Sequence, residues 1–204
     1  MTLHSTDSGT RAALSCELIK SAYADLVLDE SKERITVTLL CRQAGVNRST
    51  FYAHYRTIDE VADDMELTFS NQLPLIDEDH PMSENLENYE AFLVYCRDQR
   101  RRFLALRRGG RLGDALLERA ADLDTSAHRA PGRRNDQMHR LLVRYAVEGT
   151  LAAIERWLLE PEPLAPAHLA HVLLGAALSL DTVESALDLE RLPLGDEAGL
   201  TAMP

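Results

Sequence analysis

The side chains best suited to chemistry lie close together between residues 48 and 54, where an arginine, three hydroxyl groups and a histidine occur within seven positions. Arg48 is long enough to reach the edge of a guanine, and residues in the first turn of a recognition helix usually make such contacts. Thr50, Tyr52 and His54 provide donors that suit phosphate oxygens rather than bases. Together these side chains could read a base sequence and anchor the protein on a nucleic-acid backbone.

Two short helices around Gly45 are expected to hold these side chains in place. Thr36 is a good N-cap for the first helix and Asn47 for the second, because their side-chain oxygens can accept orphan backbone N–H groups. One face of the first helix is apolar: Val37, Leu40, Cys41 and Ala44. Gly45 can adopt the left-handed conformation that ends a helix, while Phe51 and Tyr55 are expected to pack inward. The pattern predicts a helix-turn-helix; the alternative is a helical hairpin whose polar residues only face water.

The same stretch carries a series of short motifs: Ile35-Thr36-Val37, Ala44-Gly45-Val46, Ser49-Thr50-Phe51-Tyr52, His54-Tyr55 and Thr57-Ile58-Asp59-Glu60-Val61. From about residue 11 to residue 61, the sequence resembles the N-terminal domain of the TetR (tetracycline repressor) family of bacterial transcription regulators. The resemblance implies an all-α fold, with an N-terminal three-helix helix-turn-helix DNA-binding domain followed by a helical ligand-binding and dimerisation domain. Two positions depart from the family pattern, since Thr38 stands where an arginine often contacts phosphate and Cys41 where an alanine is usual.

The resemblance and the helix-turn-helix pattern together define the expected contacts with double-stranded DNA. These residues are Thr36, Thr38, Asn47, Arg48, Ser49, Thr50, Tyr52, His54 and Arg56. Small side chains at Ser49 and Ala53 would allow the second helix to lie deep in a major groove. We expect residues 1–57 to form the DNA-binding domain and residues 58–204 to form the effector-binding and dimerisation domain.

The charge of the chain is divided unevenly between these two regions. The whole sequence of 204 residues carries a net charge of −11. Residues 1–57 hold 7 Lys+Arg against 6 Asp+Glu, a net of +1, whereas residues 58–204 hold 15 against 27, a net of −12. A nonspecific nucleic-acid binder is therefore disfavoured. The acidic region would repel phosphate and discourage binding in other orientations.

Cysteine usage and the absence of targeting signals in the sequence favour a cytoplasmic, nucleoid-associated protein. The three cysteines, Cys16, Cys41 and Cys96, show no paired spacing and lie in apolar helical patterns. Cys96 as a redox-active or ligand-reactive thiol is an alternative. The first ten residues have no signal-peptide character, and the longest apolar stretch, at residues 172–178, is too short to span a bilayer.

The sequence contains no recognisable catalytic arrangement. No nucleophile–base pair, phosphate-binding loop or metal-ligand set supports catalysis, so we expect neither an enzyme nor a cofactor. His168 and His171 are three residues apart, but a third ligand is not apparent, so no metal site is expected. A structural or enzymatic helical protein that does not bind DNA is the competing class.

Helical periodicity continues along the rest of the chain, without convincing strand alternation. The expected helices are residues 10–28, 57–73, a fifth capped by Ser83, 112–123, 135–159 and 166–190. Gly109-Gly110 are expected to break the helical pattern after Arg108. Leu14, Leu18, Ala22 and Leu26 should pack the first helix on the helix-turn-helix. Residues 124–135 are expected to form a loop, and the tail after Pro193 to be frayed.

The last two long helices carry more apolar surface than one helix face needs. We expect a four-helix bundle formed with a second copy of the chain, as in the resembled family. The expected dimer-interface residues are Trp157, Leu169, Val172, Leu173, Ala176, Ala177 and Leu180. The alternative is that these helices only complete the core of the monomer.

A further group of aromatic and soft residues could line a cavity for an unknown small-molecule effector. These residues are Phe92, Tyr95, Cys96, Phe103, Met138, Leu142 and Tyr145. At this spacing they could equally be ordinary core residues. The most consistent interpretation of the whole chain is a homodimeric, ligand-responsive repressor that binds a pseudo-palindromic operator, with a transcriptional activator of the same fold as the alternative.

Seven arginines between Arg97 and Arg111 allow three interpretations. They could form a solvated face with favourable charge near a helix C-terminus. They could form an internal ion-pair network with Asp98, Asp114 and the acidic fourth helix. They could also clamp an anionic ligand or make additional phosphate contacts.

Overall fold

In the computed structural model, the described backbone covers residues 5–29, 34–74, 81–126 and 136–186, and the described side chains cover residues 10–29, 34–74, 81–119 and 140–179. These ranges contain nine α-helices and no β-strand. The helices are α1 (Ser5–Leu28), α2 (Val37–Ala44), α3 (Arg48–His54), α4 (Ile58–Ser70), α5 (Met82–Asp98), α6 (Arg100–Arg108), α7 (Gly113–Ser126), α8 (Asp136–Leu159) and α9 (Pro166–Ala186).

Helix α1 connects the two parts of the molecule. It packs against α2, α3 and α4, which follow it in the sequence, and also against α6 of the larger helical region. In that region α5 packs along α9, and α7 packs along α8. Helices α1–α3 are called the head below, and α4–α9 the body. The largest completely buried side chains include Phe51 in α3, Phe69 in α4 and Phe103 in α6, so one continuous core runs from the head into the body.

The all-α prediction is confirmed, but several helix boundaries differ from the sequence-based expectation. Ser83 does not cap α5, because the helix already begins at Met82 after Pro81, and no side chain caps it. The chain also breaks at Gln99 between α5 and α6, where no glycine or proline signals a break. Helix α4 ends at Ser70 rather than residue 73. Helix α7 continues to Ser126, so the loop predicted from residue 124 does not begin there. The rest of that loop, residues 127–135, and the predicted tail, within residues 187–204, lie outside the described residues.

The outer face of α1 was assigned to the core incorrectly at two positions. Ala22 and Leu26 are buried as expected, whereas Leu14 is 59% exposed and Leu18 is 43% exposed. The fully buried side chains of α1 begin at Ile19, so α1 contributes to the core through its C-terminal half. Single exposed leucines on a helix are common, since folded proteins leave much apolar surface in contact with water.

The corner between α6 and α7 contains two residues in the left-handed conformation. Gly110 has a φ of 71° and Leu112 a φ of 76°. The left-handed conformation is strained for leucine. It is stabilised here because the Leu112 side chain is completely buried and its N–H donates to Glu66 Oε1 on α4 at 2.7 Å. The break predicted at Gly109-Gly110 is confirmed, because α6 ends at Arg108.

Candidate nucleic-acid interface

Side-chain caps and a left-handed glycine fix the angle between α2 and α3. The Leu39 N–H donates to Thr36 Oγ1 at 3.2 Å, so Thr36 is the N-cap of α2. Gly45 ends that helix with a φ of 67°. The Thr50 N–H then donates to Asn47 Oδ1 at 2.7 Å, which makes Asn47 the N-cap of α3. The two caps and the turn predicted from the sequence are confirmed.

The apolar side of α3 faces the core and leaves its polar side accessible. Phe51 is completely buried and Tyr55 is 6% exposed. None of the nine expected DNA contacts is buried: Thr36, Thr38, Asn47, Arg48, Ser49, Thr50, Tyr52, His54 and Arg56. Thr50 and His54 are half-buried, and the other seven are exposed. The hydrogen-bond donors therefore lie on the accessible side of α3 and beside its two ends. Phe51 and Tyr55 pack in the core on the other side.

The Arg48 side chain interacts with Tyr52, which lies one turn further along the helix. Its Nη2 donates to the Tyr52 hydroxyl at 3.4 Å, and its Cζ lies 5.9 Å from the centroid of the Tyr52 ring. The Tyr52 ring in turn contacts the edge of Phe51 at 5.3 Å between centroids. This stack positions the guanidinium above the exposed face of α3, where a cation–π contact restricts it.

Ser49 and Arg56 each have a partner within the protein. The Ser49 hydroxyl donates to Asn47 Oδ1 at 2.6 Å, so its oxygen keeps only acceptor capacity toward DNA. Arg56 donates through its backbone N–H and its Nε to Glu60, at 2.7 and 2.8 Å. The backbone hydrogen bond from Arg56 is the largest cause that lowers the pKa of Glu60. Any phosphate contact by Arg56 would have to share this guanidinium with Glu60.

Two residues of α4 contact the two residues that follow α3, and neither contact was predicted from the sequence. Glu60 accepts from the N–H of Arg56 while Thr57 accepts from the N–H of Glu60 at 3.2 Å, which is a variant of the capping box signalled by Thr-x-x-Glu. Asp64 accepts from the Tyr55 hydroxyl at 2.7 Å. Burial, followed by this hydrogen bond, raises the pKa of Tyr55. A buried tyrosine needs such an acceptor, but its position along α4 has no signal in the sequence.

The arginine run joins the body to α1 through ion pairs. Arg101 on α6 contacts Asp25 at 2.6 Å, and Arg102 contacts Glu17 at 2.8 Å. Both carboxylates lie on α1, so the body supplies the positive charges at this contact and the head supplies the negative ones. Burial would raise the pKa of Glu17, but hydrogen bonds from Lys20 and Arg102 outweigh burial and lower it.

The same run also reaches α4 and α8. Arg111 forms ion pairs with three carboxylates of α4: Asp59, Asp63 and Glu66. Arg107 contacts Glu148 at 3.3 Å and Glu155 at 3.1 Å on α8. The acidic fourth helix therefore has the role expected from the sequence in the network interpretation of these arginines.

The remaining arginines of the run behave differently. Arg108 Nη1 donates to the Leu28 carbonyl at the end of α1, at 3.3 Å, and Arg100 Nε donates to the Leu158 carbonyl at 2.7 Å. Arg97 makes only a 3.9 Å contact with the adjacent Asp98 among the described residues. Asp98 is therefore a marginal partner. Asp114, which the sequence also suggested, pairs with Arg144 on α8 rather than with the run.

The candidate effector residues are divided between core and surface. Phe92, Cys96 and Phe103 are buried, and Tyr95 and Phe103 pack against the ring of Phe69 at 5.1 and 5.8 Å between centroids. Burial raises the pKa of the Cys96 thiol, which disfavours the reactive thiolate.

Two other candidate effector residues lie on α8. Leu142 is half-buried, and Tyr145 is 68% exposed, so the expectation that Tyr145 lines an interior cavity is not met in the single chain. The Met138 side chain lies outside the described residues. A described cavity of about 360 Å³ lies elsewhere, between the α5–α6 junction and the end of α8.

The candidate dimer residues are also divided. Trp157, Leu169 and Leu173 are buried within the chain itself, so they complete its own core, as the alternative interpretation had it. Val172 is 61% exposed, Ala176 is exposed and Ala177 is half-buried. The Leu180 side chain lies outside the described residues. The division follows the turn of α9, since residues 169 and 173 face α5 and α8 while residues 172 and 176 face outward.

The described part of the chain offers neither a metal-binding cluster nor a membrane-spanning helix. No group of three or more His, Cys, Asp or Glu side chains within it is arranged to hold a metal ion. No helix in the described ranges has both the length and the apolar character needed to cross a membrane.

Comparison with known proteins identifies the fold through structure rather than through sequence. No protein-family model matches the sequence, and no curated protein is similar to it. The structure matches the dihydroxyacetone kinase operon activator DhaS with 14% identity and a TM-score of 0.51, over 83% of this chain and 97% of that one. It also matches a TetR-like transcriptional regulator from Rhodococcus sp. RHA1 with 22% identity and a TM-score of 0.52, over 80% of this chain and 94% of that one. The chain has the all-α fold of the TetR-like transcriptional regulators.

Proposed function

We propose that this protein is a DNA-binding transcriptional regulator that acts in the cytoplasm, with α3 as the helix that enters the major groove. The observation that carries the proposal is the exposed donor face of α3, which is capped by Asn47 and held in place by the buried Phe51. In this arrangement Arg48 reads a base edge, while Thr50, Tyr52 and His54 contact phosphates. Residues 1–57 form the DNA-binding domain, and residues 58–204 form the regulatory and dimerisation domain.

Arg48 and His54 allow base recognition to be separated from backbone anchoring. Arg48→Ala should cost about 1–3 kcal/mol of binding and relax the preference at one defined base position. His54→Ala should weaken binding to all sequences by similar factors, because phosphate carries no sequence information. Tyr52 is a poorer control, since its hydroxyl and ring also contact Arg48. Equal affinity and equal preference in the Arg48→Ala protein would show that another residue reads the bases.

We further propose that the protein binds a pseudo-palindromic operator as a homodimer. An outward stripe of α9 is small, apolar or weakly polar: His168, His171, Val172, Gly175, Ala176 and Ser179. On α8, Leu141 is 54% exposed and Tyr145 is 68% exposed. Small residues on α9 support close approach of a second copy, and a dimer doubles the number of base contacts available to a short recognition helix.

Ala176→Asp tests this surface against a matched substitution elsewhere. An aspartate at a dimer interface would be an unpaired buried ion, which costs several kcal/mol. The variant should sediment as a monomer and bind the operator weakly, since each head would then bind one half-site alone. Ala91→Asp places the same charge at an exposed alanine of α5 and should change neither property. If the Ala176→Asp protein remained dimeric and kept full operator affinity, this face of α9 would not be the dimer interface.

We propose that the regulator is a ligand-responsive repressor. A small molecule bound in the body would favour a spacing of the two heads that does not match the operator. Activation is the second candidate, and the name of the operon activator DhaS indicates that this fold also occurs in activators. A reporter gene behind the bound site distinguishes the two, because deletion of the regulator gene should raise expression under repression and lower it under activation.

A further inference from the structure

A cleft of about 360 Å³ lies between the α5–α6 junction and the connection from α8 to α9. This volume lies within the range of small-molecule sites. Two arginines, Arg97 and Arg100, line one side of it, and Trp157 and Leu158 line the other. The remaining wall is formed by the connection itself, including Pro161 and Pro163. None of the candidate effector residues or candidate DNA contacts lines this cleft.

The two arginines at the cleft form weaker or fewer ion pairs than most of the same run. Four of the other five form ion pairs with carboxylates on α1, α4 or α8, whereas Arg108 donates to a helix-end carbonyl, as Arg100 does. Arg97 has only its neighbour Asp98 at 3.9 Å within the described chain. Arg100 uses Nε for the Leu158 carbonyl, and its two terminal nitrogens have no other partner among the described residues. The cleft therefore combines two guanidinium groups that can still bind an anion.

The one acidic residue in the lining has a cationic partner outside the cleft. Glu160 contacts Arg156 on α8 at 2.6 Å between Oε1 and Nη2. The lining therefore holds two arginines against one glutamate, so its formal charge is positive.

The apolar wall of the cleft is held in place before any ligand binds. Trp157 is 5% exposed, and its indole Nε1–H donates to the Leu164 carbonyl at 2.8 Å, which ties the connection to the end of α8. Pro161 and Pro163 restrict the backbone between these two residues because each ring fixes φ. A wall that is already ordered loses little conformational entropy on binding.

We propose that this cleft binds a small organic monocarboxylate with an apolar body. The carboxylate would accept hydrogen bonds from Arg97 and from the terminal nitrogens of Arg100, since guanidinium groups match carboxylate geometry. The apolar body would lie against Trp157, Leu158 and the two prolines. The site is separate from the DNA-binding face and does not depend on the proposed function.

The single tryptophan of the chain makes the cleft directly observable. Titration with phenylacetate, followed by tryptophan fluorescence in the absence of DNA, should give a saturable change. The neutral analogue 2-phenylethanol lacks the carboxylate, and inorganic phosphate lacks the apolar body, so both should bind at least about tenfold more weakly. A wild-type protein that gives no saturable change with phenylacetate at millimolar concentration would overturn the proposal. Equal binding of phosphate or of the alcohol would overturn it as well.

Two arginine variants locate the binding site. Arg97→Gln should weaken phenylacetate binding by roughly ten- to a hundredfold, because it removes a charge-assisted hydrogen bond. Arg97 is exposed and weakly paired, so its loss should not shift the urea midpoint of unfolding. Arg101→Gln is the matched control, since Arg101 lies next to Arg100 in sequence but pairs with Asp25 on α1. Unchanged binding in Arg97→Gln, or an equal loss in Arg101→Gln, would contradict the assignment.

Discussion

Helix α3 and the arginine-rich helix α6 are held in place by contacts that span very different distances along the chain. The side-chain contacts that shape α3 join residues two to four positions apart, as in Asn47 with Ser49 and Thr50 and Arg48 with Tyr52. The arginines of α6 and of the corner that follows it contact residues that are between 41 and 85 positions away in the sequence. The capping of α3 therefore depends on neighbouring residues. The contact between α1 and α6 depends in part on ion pairs between distant residues, in addition to the apolar core that the two regions share.

This difference bears on two properties that the proposed regulator would need. A recognition helix must keep one geometry to read bases, which local caps and a buried aromatic achieve. The position of the head relative to the body must be able to respond to the rest of the molecule, and partly exposed ion pairs are individually weak. We expect substitutions in the first region to change fold and base preference, and substitutions in the second to change mainly the stability of the head–body contact.

The largest effect is expected where the local region is anchored in the core. Phe51 is completely buried, so Phe51→Ala should lower the free energy of unfolding by about 3–5 kcal/mol. Tyr52→Ala, at a neighbouring residue that is 49% exposed, should cost about 1 kcal/mol or less. Urea unfolding followed by circular dichroism measures both. Similar losses in the two variants would mean that Phe51 does not anchor the head.

The next effect tests the long-range region. Arg111→Ala removes the one cation shared by three α4 carboxylates and should cost about 1–2 kcal/mol, after allowance for solvent screening. Arg156→Ala removes a local pair with Glu160 four residues away and should cost about 0.3–0.5 kcal/mol. The difference between the variants should shrink at about 1 M salt. A larger loss in Arg156→Ala would reverse the expected order.

A smaller effect is expected from a cap in the local region. Asn47→Ala removes the acceptor of the Thr50 N–H and should lower the free energy of unfolding by about 1 kcal/mol. Asn47→Asp keeps an acceptor at the same position and should lose much less. Thermal unfolding of the two variants checks the prediction, and equal losses would show that the cap bond is not the cause.

The smallest effect concerns the dependence of stability on pH. Net of burial, hydrogen bonds from Lys20 and Arg102 lower the pKa of Glu17 below its ordinary value of 4.5. The resulting stabilisation, less than about 1 kcal/mol for a half-exposed group, is present above pH 4.5 and is lost as the pH falls through the lowered pKa. In the Glu17→Gln protein, the free energy of unfolding, measured with urea from pH 6 to pH 3, should therefore fall less steeply as the pH is lowered. The same pH dependence in the variant and the wild type would contradict the ion pair with α6.

The two regions also differ in how far they could be predicted from sequence. Thr36, Gly45 and Asn47 act on neighbouring backbone groups, so residue type and spacing were sufficient to predict the caps and the turn. The break at Gln99 and the pairing of Arg101 with Asp25 depend on how distant helices meet. No local pattern encodes such contacts, and three interpretations of the arginine run therefore stayed open.

Helix α9 shows that the packing of apolar residues is also difficult to predict from sequence. Helix α9 is apolar on nearly all sides, so periodicity could not distinguish the face that packs in the chain from the face that is left accessible. Leu169 and Leu173 proved to be buried, while Val172 and Ala176 are accessible. Burial in the chain therefore leaves Val172 and Ala176 on the accessible face, and the dimer interface stays a prediction.

Footprinting of the full-length protein on fragments selected from genomic DNA tests the central proposal most directly. The expected result is protection of a pseudo-palindromic site, with two half-sites separated by about one helical turn or more, and loss of preference at one base position of each half-site in Arg48→Ala. Coating of DNA without sequence preference, or no protection at any concentration that leaves the protein folded, would contradict the proposal that α3 reads DNA.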